Sequence, residues 1–194
     1  MKREEFFKEL LKDVSGTYVE IGTCWGGFAE FLLLNTACTS LICIDPYRVF
    51  SIDVYYDSLN FQPQHKLDEK FLMVLKRLVN NSANKPVTMM RLTSYEAAKQ
   101  VYNNLAFVYI DGNHHHKEVL KDLTVWWPKI RKGGLLCGDD VEDLKLKHED
   151  GDVIINHNAS CVGKYGVATA LEDFARVVPD FKYKIVGNQF YAYK

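Results

Sequence analysis

The sequence has no two cysteines at C-x-x-C spacing; its five, Cys24, Cys38, Cys43, Cys137 and Cys161, are scattered and odd in number. That argues against zinc ribbons and disulfide frameworks and suits buried thiols in a reducing compartment, read here as the cytoplasm. Long apolar runs are missing too. The opening stretch MKREEFFKELLKDV sets acids among its apolar residues, so it reads as neither a signal peptide nor a membrane span, and no membrane partner is expected. Charge of one sign is not in excess. A net value of −1 over 194 residues gives no general attraction for nucleic acid or anionic lipid, so no nucleic-acid partner is expected. Repeats and low-complexity tracts are absent, which excludes solenoid architectures.

What is present is an alternation. An amphipathic helix over residues 3–13 leads into β-type runs at 17–22, 41–46, 87–92, 105–111 and 135–140. Helical stretches at 28–36, 66–80, 94–102 and 117–127 separate them, with Ser94 a plausible N-cap, and Lys132-Gly133-Gly134 makes a turn into the fifth run. Residues 142–165 are polar and read as irregular. A last helix over 166–178 precedes a hairpin, 181–187 and 189–194, turning at Gly187-Asn188. Strands alternating with helices predict an α/β fold: a doubly wound, mostly parallel seven-stranded sheet, Rossmann-like, with one antiparallel strand from the terminal hairpin. The length suits one domain over 1–194, with an N-terminal helix within 1–15 and candidate lid or acceptor loops at 46–65 and 142–165.

In such sheets ligands sit outside the carboxyl ends of the strands. After the first run comes Glu20-Ile21-Gly22-Thr23-Cys24-Trp25-Gly26-Gly27. Its glycines permit close backbone approach to a ligand, but the loop is neither G-x-G-x-x-G nor a P-loop. A bare tight turn would look the same. Asp45 ends the second run, where an acid can bind two ribose hydroxyls, so loop and acid together point to an adenosine-type ligand. Thr93-Ser94 follows the third run, as a helix cap or an adenine contact. Asp111 follows the fourth, and Asp139-Asp140 the fifth. Three carboxylates on neighbouring strand ends repel unless neutralised, and an all-oxygen set suits Mg2+, Mn2+ or Ca2+.

The runs VEIGTCWGG, ICIDPY, DGNH and GGLLCGDD resemble the class I S-adenosylmethionine-dependent methyltransferases. The stretch YIDGNHHHKEVLKDLTVWWPKIRKGGLLCGDD is most similar to the macrocin O-methyltransferase-like group, which acts on small molecules such as sugars. The resemblance implies that Glu20, Gly22, Thr23, Cys24, Trp25 and Gly26 cradle the methionine part of S-adenosyl-L-methionine. It implies that Asp45 holds the ribose and that Thr93 and Ser94 meet the adenine. It further implies Asp111, Asp139 and Asp140 as ligands of Mg2+ or Mn2+, and His114 as catalytic base, with Asp111 as the alternative base. The expected function is metal-assisted O-methyl transfer to a small hydroxylated acceptor. A nicotinamide-dependent oxidoreductase, a cofactor-binding protein without activity, and nucleic-acid methylation through a small patch at 129–132 are the rivals. Self-association into a homo-oligomer is left open.

Departures from the family pattern are Asn113 for an acid and His115-His116 for Ser-Tyr. Consecutive residues at a helix start point about 100° apart, so the three histidines do not converge on one ion. His115 and His116 therefore read as surface or local packing. The aromatics Tyr47, Phe50, Tyr55, Tyr56 and Phe61 read as an acceptor wall or as loop packing, and His148, His157 and Asn158 fall in the second candidate lid.

Overall fold

A strand apolar along its whole length must be covered on both sides. LAFVYI at 105–110 meets that condition, with every residue buried. Phe107 and Tyr109 enter one core with Phe7, Phe28, Leu32 and Val74, whereas Val108 and Ile110 enter another with Val119, Leu123, Trp126 and Leu171. Alternation along the pleat feeds two cores from one run.

The computed structural model describes residues 3–52, 54, 55, 61–141, 152–156 and 162–194. The elements are α1 (Arg3–Leu10), β1 (Gly16–Ile21), α2 (Gly27–Asn35), β2 (Cys38–Ile44), α3 (Gln64–Asn80), β3 (Val87–Met90) and α4 (Ser94–Ala98). They continue with β4 (Leu105–Ile110), α5 (His116–Trp126), β5 (Ile130–Gly138), β6 (Val153–Asn156), β7 (Val162–Tyr165), α6 (Val167–Val177), β8 (Tyr183–Val186) and β9 (Gln189–Tyr193). The main sheet has seven strands in the order β3-β2-β1-β4-β5-β9-β8. Pairs among β1 to β5 are parallel, and β9 runs antiparallel to both β5 and β8. The expected doubly wound sheet with one antiparallel strand is what the chain forms. Its order reverses between β1 and β4, which places the ligand crevice at their carboxyl ends.

Three local expectations are corrected. The 142–165 stretch is not irregular throughout: β6 and β7 pair antiparallel, Val153 opposite Tyr165. The N-cap of α4 is Thr93, not Ser94. Thr93 and Glu96 form a reciprocal capping box, which frees the Ser94 hydroxyl for another task. The 129–132 patch, a candidate contact for nucleic acid, is split: Lys129 ends a short 3-10 turn (Trp127–Lys129), and Arg131 and Lys132 lie in β5, which begins at Ile130 and slips register before Leu135. Lys129 instead donates to the Val101 carbonyl (2.7 Å) and Arg131 to that of Ser15 (2.9 Å).

Cys38, Cys43 and Cys137 are buried free thiols and Cys24 is half-buried, while Cys161 lies outside the described residues. No helix among the described residues is long and apolar enough to cross a membrane.

Candidate active site at the carboxyl ends of the strands

The loop after β1 is drawn in between its neighbours. Gly22 donates to the Ile44 carbonyl at the end of β2 (2.8 Å), and Asp111 donates to the Ile21 carbonyl (2.9 Å). Gly22 takes φ +89°, and a Cβ there would stand 1.8 Å from the Asp111 carbonyl oxygen. No other residue fits that crossing. Gly26, at φ +71°, opens α2, with Val74 Cγ1 where its Cβ would be (2.8 Å).

Asp45 is tied down by its surroundings. Its Oδ2 accepts from the Cys24 amide (2.9 Å) and its Oδ1 from the Tyr47 amide (2.9 Å). Tyr47 Oη in turn donates to the Cys24 carbonyl (3.0 Å). Each carboxylate oxygen keeps an unused acceptor site, which suits a pair of neighbouring hydroxyls. Burial pushes this carboxyl above the usual range, while the two backbone bonds and the charges of Lys70 and Arg91 pull it back.

A cavity of about 550 Å³ opens here. Gly22, Cys24, Asp45, Thr93, Ser94 and Asp111 line it, together with Tyr47, Phe50 and Tyr55 from the candidate acceptor wall. Phe61 is exposed, and Tyr56, His148, His157 and Asn158 lie outside the described residues. Glu20, Thr23, Trp25 and Gly26 do not reach the lining. Glu20 and Thr23 are buried. Burial drives the Glu20 carboxyl well above the carboxylate range, and its Oε2 has no hydrogen-bond partner. Trp25 is half exposed, with the Lys70 ammonium 4.3 Å from its ring centroid.

Among the lining residues that sequence reasoning missed are Lys70 and Asp122. Both are buried, and both lie on the apolar stripe of a helix. Lys70 falls between Leu67 and Val74 on α3, and Asp122 between Val119 and Trp126 on α5. A charged residue at a core-facing helical position was the available signal, since such groups are rarely buried without a role or a partner. Asp122 Oδ1 accepts from the Ser94 hydroxyl (2.5 Å), which accepts from Trp126 Nε1 (2.8 Å). Burial pushes the Asp122 carboxyl up to about 7, against the pull of that hydroxyl.

Next to the cavity the chain gathers Asp111, His114 and Asp140, whose ligand atoms all lie within 4.8 Å of one another. His114 Nε2 is 3.4 Å from Asp111 Oδ1 and 3.4 Å from Asp140 Oδ2. Its ring stacks on Tyr165 with centroids 5.0 Å apart. Burial raises the Asp111 carboxyl to about 6; His114 opposes this and the charges of Asp139 and Asp140 add to it. Asp139 stands apart from the cluster. Its Oδ1 accepts from the Asp140 amide (2.7 Å), Asn188 Nδ2 (2.7 Å) and Gln189 Nε2, and its Oδ2 from Arg3 (3.2 Å).

The histidine run separates into different tasks. His115 is the N-cap of α5, with its amide donating to Asn113 Oδ1 (3.0 Å). His116 packs locally: its Nδ1 meets Thr169 Oγ1 (2.7 Å), its Nε2 lies 3.5 Å from Asp173, and its amide donates to Asp152 (2.6 Å). The neutral Asn113 lines the cavity and donates to the Val54 carbonyl (3.2 Å).

Known proteins share both the sequence pattern and the shape. A solved O-methyltransferase from Bacillus cereus, in complex with S-adenosylhomocysteine, superposes with a TM-score of 0.62 at 12% identity, over 99% of this chain and 80% of that one. A methyltransferase from Geobacter sulfurreducens gives 0.58 at 14% identity, over 100% and 79%. A Corynebacterium glutamicum protein gives 0.62 at 14%, over 98% and 79%. At these identities the likeness concerns the fold. An uncharacterized protein of Acanthamoeba polyphaga mimivirus is 27% identical over 140 residues, or 66% of this chain, and the chain spans about half (53%) of that relative's length. Residues 19–141 match the family described as a methyltransferase domain. The chain belongs to that family, as a methyltransferase domain of the S-adenosylmethionine-dependent kind.

Proposed function

We propose that this chain transfers a methyl group from S-adenosyl-L-methionine to a hydroxyl of a small acceptor, a sugar or similar polyol, with help from a divalent cation. The observation that carries the reading is the convergence of Asp45, Gly22 and Asp111 on one cavity, with His114 and Asp140 beside Asp111. The residues present fit the cofactor. Asp45 offers two free acceptor sites to a ribose diol, and Gly22 leaves the space that a side chain would fill. They also fit a hard cation, which takes one or two carboxylates and completes its shell with other oxygens.

Bound there, S-adenosylmethionine supplies a methyl group already activated on a sulfonium, so the protein's work is to prepare and aim the acceptor. Asp111 and Asp140 would hold a divalent cation, which would lower the pKa of an acceptor hydroxyl beside it. His114 Nε2, 3.4 Å from a carboxylate oxygen of each acid, is the group placed to take the acceptor proton. Tyr165, stacked on the ring, fixes its plane. Phe50 and Tyr55 give the cavity an apolar wall against which the acceptor packs.

Calorimetric titration with S-adenosylhomocysteine and with NAD tests the cofactor: binding of the first and not the second is expected, and no binding of the first sinks the reading. Turnover on a panel of hydroxylated acceptors, sugars first, with and without Mg2+, tests acceptor class and cation together.

A further inference from the structure

Asp139 and Asp140 are neighbours of the same chemical type at the end of β5, and the fold treats them oppositely. We propose that Asp139 is not a cation ligand but a positioning residue, a clamp closed from both ends of the chain that aims Asp140 at Asp111 and His114. The inference rests on the reading of that cluster as a cation site.

The first argument is capacity. An ionised carboxylate has about four acceptor sites. Asp139 Oδ1 already takes three donors, the Asp140 amide, Asn188 and Gln189, and Oδ2 faces the Arg3 guanidinium. The Tyr109 hydroxyl is also near, 3.3 Å from Oδ2, but it is closer to Gln189 Oε1 (2.8 Å), and its single proton goes there. A cation on Oδ1 would strand amide donors, and one on Oδ2 would sit beside the Arg3 guanidinium and compete with that ion pair.

The second argument is geometry. Asp140 holds φ +57°, a left-handed conformation uncommon for a non-glycine residue though one that aspartate adopts more readily than most, and here its surroundings fix it. Those surroundings can be named. The Asp139 amide donates to Ile110 (3.2 Å), the Asp140 amide to Asp139 Oδ1, and the Val141 amide to the Asn188 carbonyl (2.9 Å). Asn188 thus holds the turn twice, through its side chain on Asp139 and its backbone on Val141. Arg3 closes the other side, lying over the Phe28 ring at 4.9 Å.

The two roles predict opposite signs. Mn2+ is titrated calorimetrically into the wild-type chain and into Asp140→Asn, Arg3→Met and Arg3→Lys, and S-adenosylhomocysteine is titrated into the same samples. Loss of a ligand in Asp140→Asn weakens Mn2+ binding by about 100-fold, and loosening the clamp in Arg3→Met weakens it by about 10-fold. Arg3→Lys restores most of that loss, and all three variants bind S-adenosylhomocysteine as the wild type does. Amide exchange at Asp140 quickens in Arg3→Met and not in Arg3→Lys. If Asp139 were a ligand, releasing it from Arg3 would leave Mn2+ affinity unchanged or raise it, and either result overturns the proposal. Wild-type protein that binds S-adenosylhomocysteine but no Mn2+ overturns the cation assignment and this inference with it, leaving the methyltransferase reading standing. Protein that binds neither overturns all three.

Discussion

The two sides of the switch point between β1 and β4 are built differently. On the β1–β3 side Asp45 and Thr93 find partners close by in sequence or on the next strand, while Ser94 reaches across to α5. Asp45 is held by Tyr47 two residues on and by Cys24 from the adjoining loop, and Thr93 is held by Glu96. On the β4–β5 side the partners are remote. Asp139 meets Arg3 across 136 residues and Gln189 across 50, and His116 meets Thr169 across 53. The crevice proposed for the cofactor is thus made by short local motifs, while the side proposed for catalysis draws on residues as far apart as Arg3 and Gln189. Damage far from the chemistry should therefore be felt on one side only.

The largest expected effect comes from the residue that both sides share. Gly22→Ala places a methyl group 1.8 Å from the Asp111 carbonyl and forces a side chain to φ +89°. The β1 loop and the Asp111 strand end must part, so S-adenosylhomocysteine binding should be lost and thermal stability should fall by about 2 kcal/mol or more. Calorimetry and a melting curve check it. Retained binding would mean that the crossing is not rigid and that the two sides are independent even there.

Next comes a pair of variants that should dissociate. Asp45→Ala removes the acceptor facing the crevice and should weaken S-adenosylhomocysteine binding by about 100-fold. Asp140→Ala should leave that binding within about three-fold yet abolish cation-dependent turnover. Equal loss of cofactor affinity in both variants would break the comparison outright.

The contrast also explains what could be read from the sequence. The sheet was legible because strands such as 105–110 are unbroken apolar runs, and the acids Asp45 and Asp111 because each directly follows a strand, with Asp140 one residue beyond the acid that follows β5. Asp139 was legible as a strand-end acid but not by its partners, since nothing in GGLLCGDD announces Arg3 or Asn188. Ser94 was misread as a cap because Thr93 and Ser94 are both good caps, and only the return of the Glu96 side chain decides between them. Lys70 and Asp122 were passed over because a helical stripe was read by its apolar members, although the exceptions on the stripe line the cavity.

Asp122 gives the third prediction, and its sign follows from its burial. Its folded pKa of about 7 lies above the 3.8 of an ordinary aspartate, so between these values the folded protein holds a proton that the unfolded chain has released. Stability from this group is full below about pH 4 and is lost as pH rises through about 7. Wild-type stability should fall by about 2 kcal/mol between pH 5 and pH 8 through this residue. Asp122→Asn keeps an acceptor for the Ser94 hydroxyl and removes the titration, so its stability curve should be flatter. Asp111, raised to about 6, remains in the variant and keeps part of the slope. Identical denaturant curves for the two proteins at both pH values would show that Asp122 is not buried as a carboxyl.

The smallest effect sharpens the contrast, because Lys70 is the piece of the cofactor side that comes from farther along the chain. Its stem lies on the buried stripe of α3, its ammonium stacks on Trp25, and its charge favours the ionised form of Asp45. Lys70→Met keeps the stem's volume and removes the charge, so folding should be preserved and stability should hold or rise. Asp45 then loses one of the charges opposing its desolvation, and its carboxyl moves further up. S-adenosylhomocysteine affinity should drop by about 10-fold, with the deficit widening as the pH is lowered, because a protonated Asp45 accepts a ribose hydroxyl less well. Lys70→Arg should recover most of it. A deficit independent of pH would place Lys70's effect on the Trp25 loop rather than on Asp45, and the cofactor side would then be local in its electrostatics as well as in its hydrogen bonds.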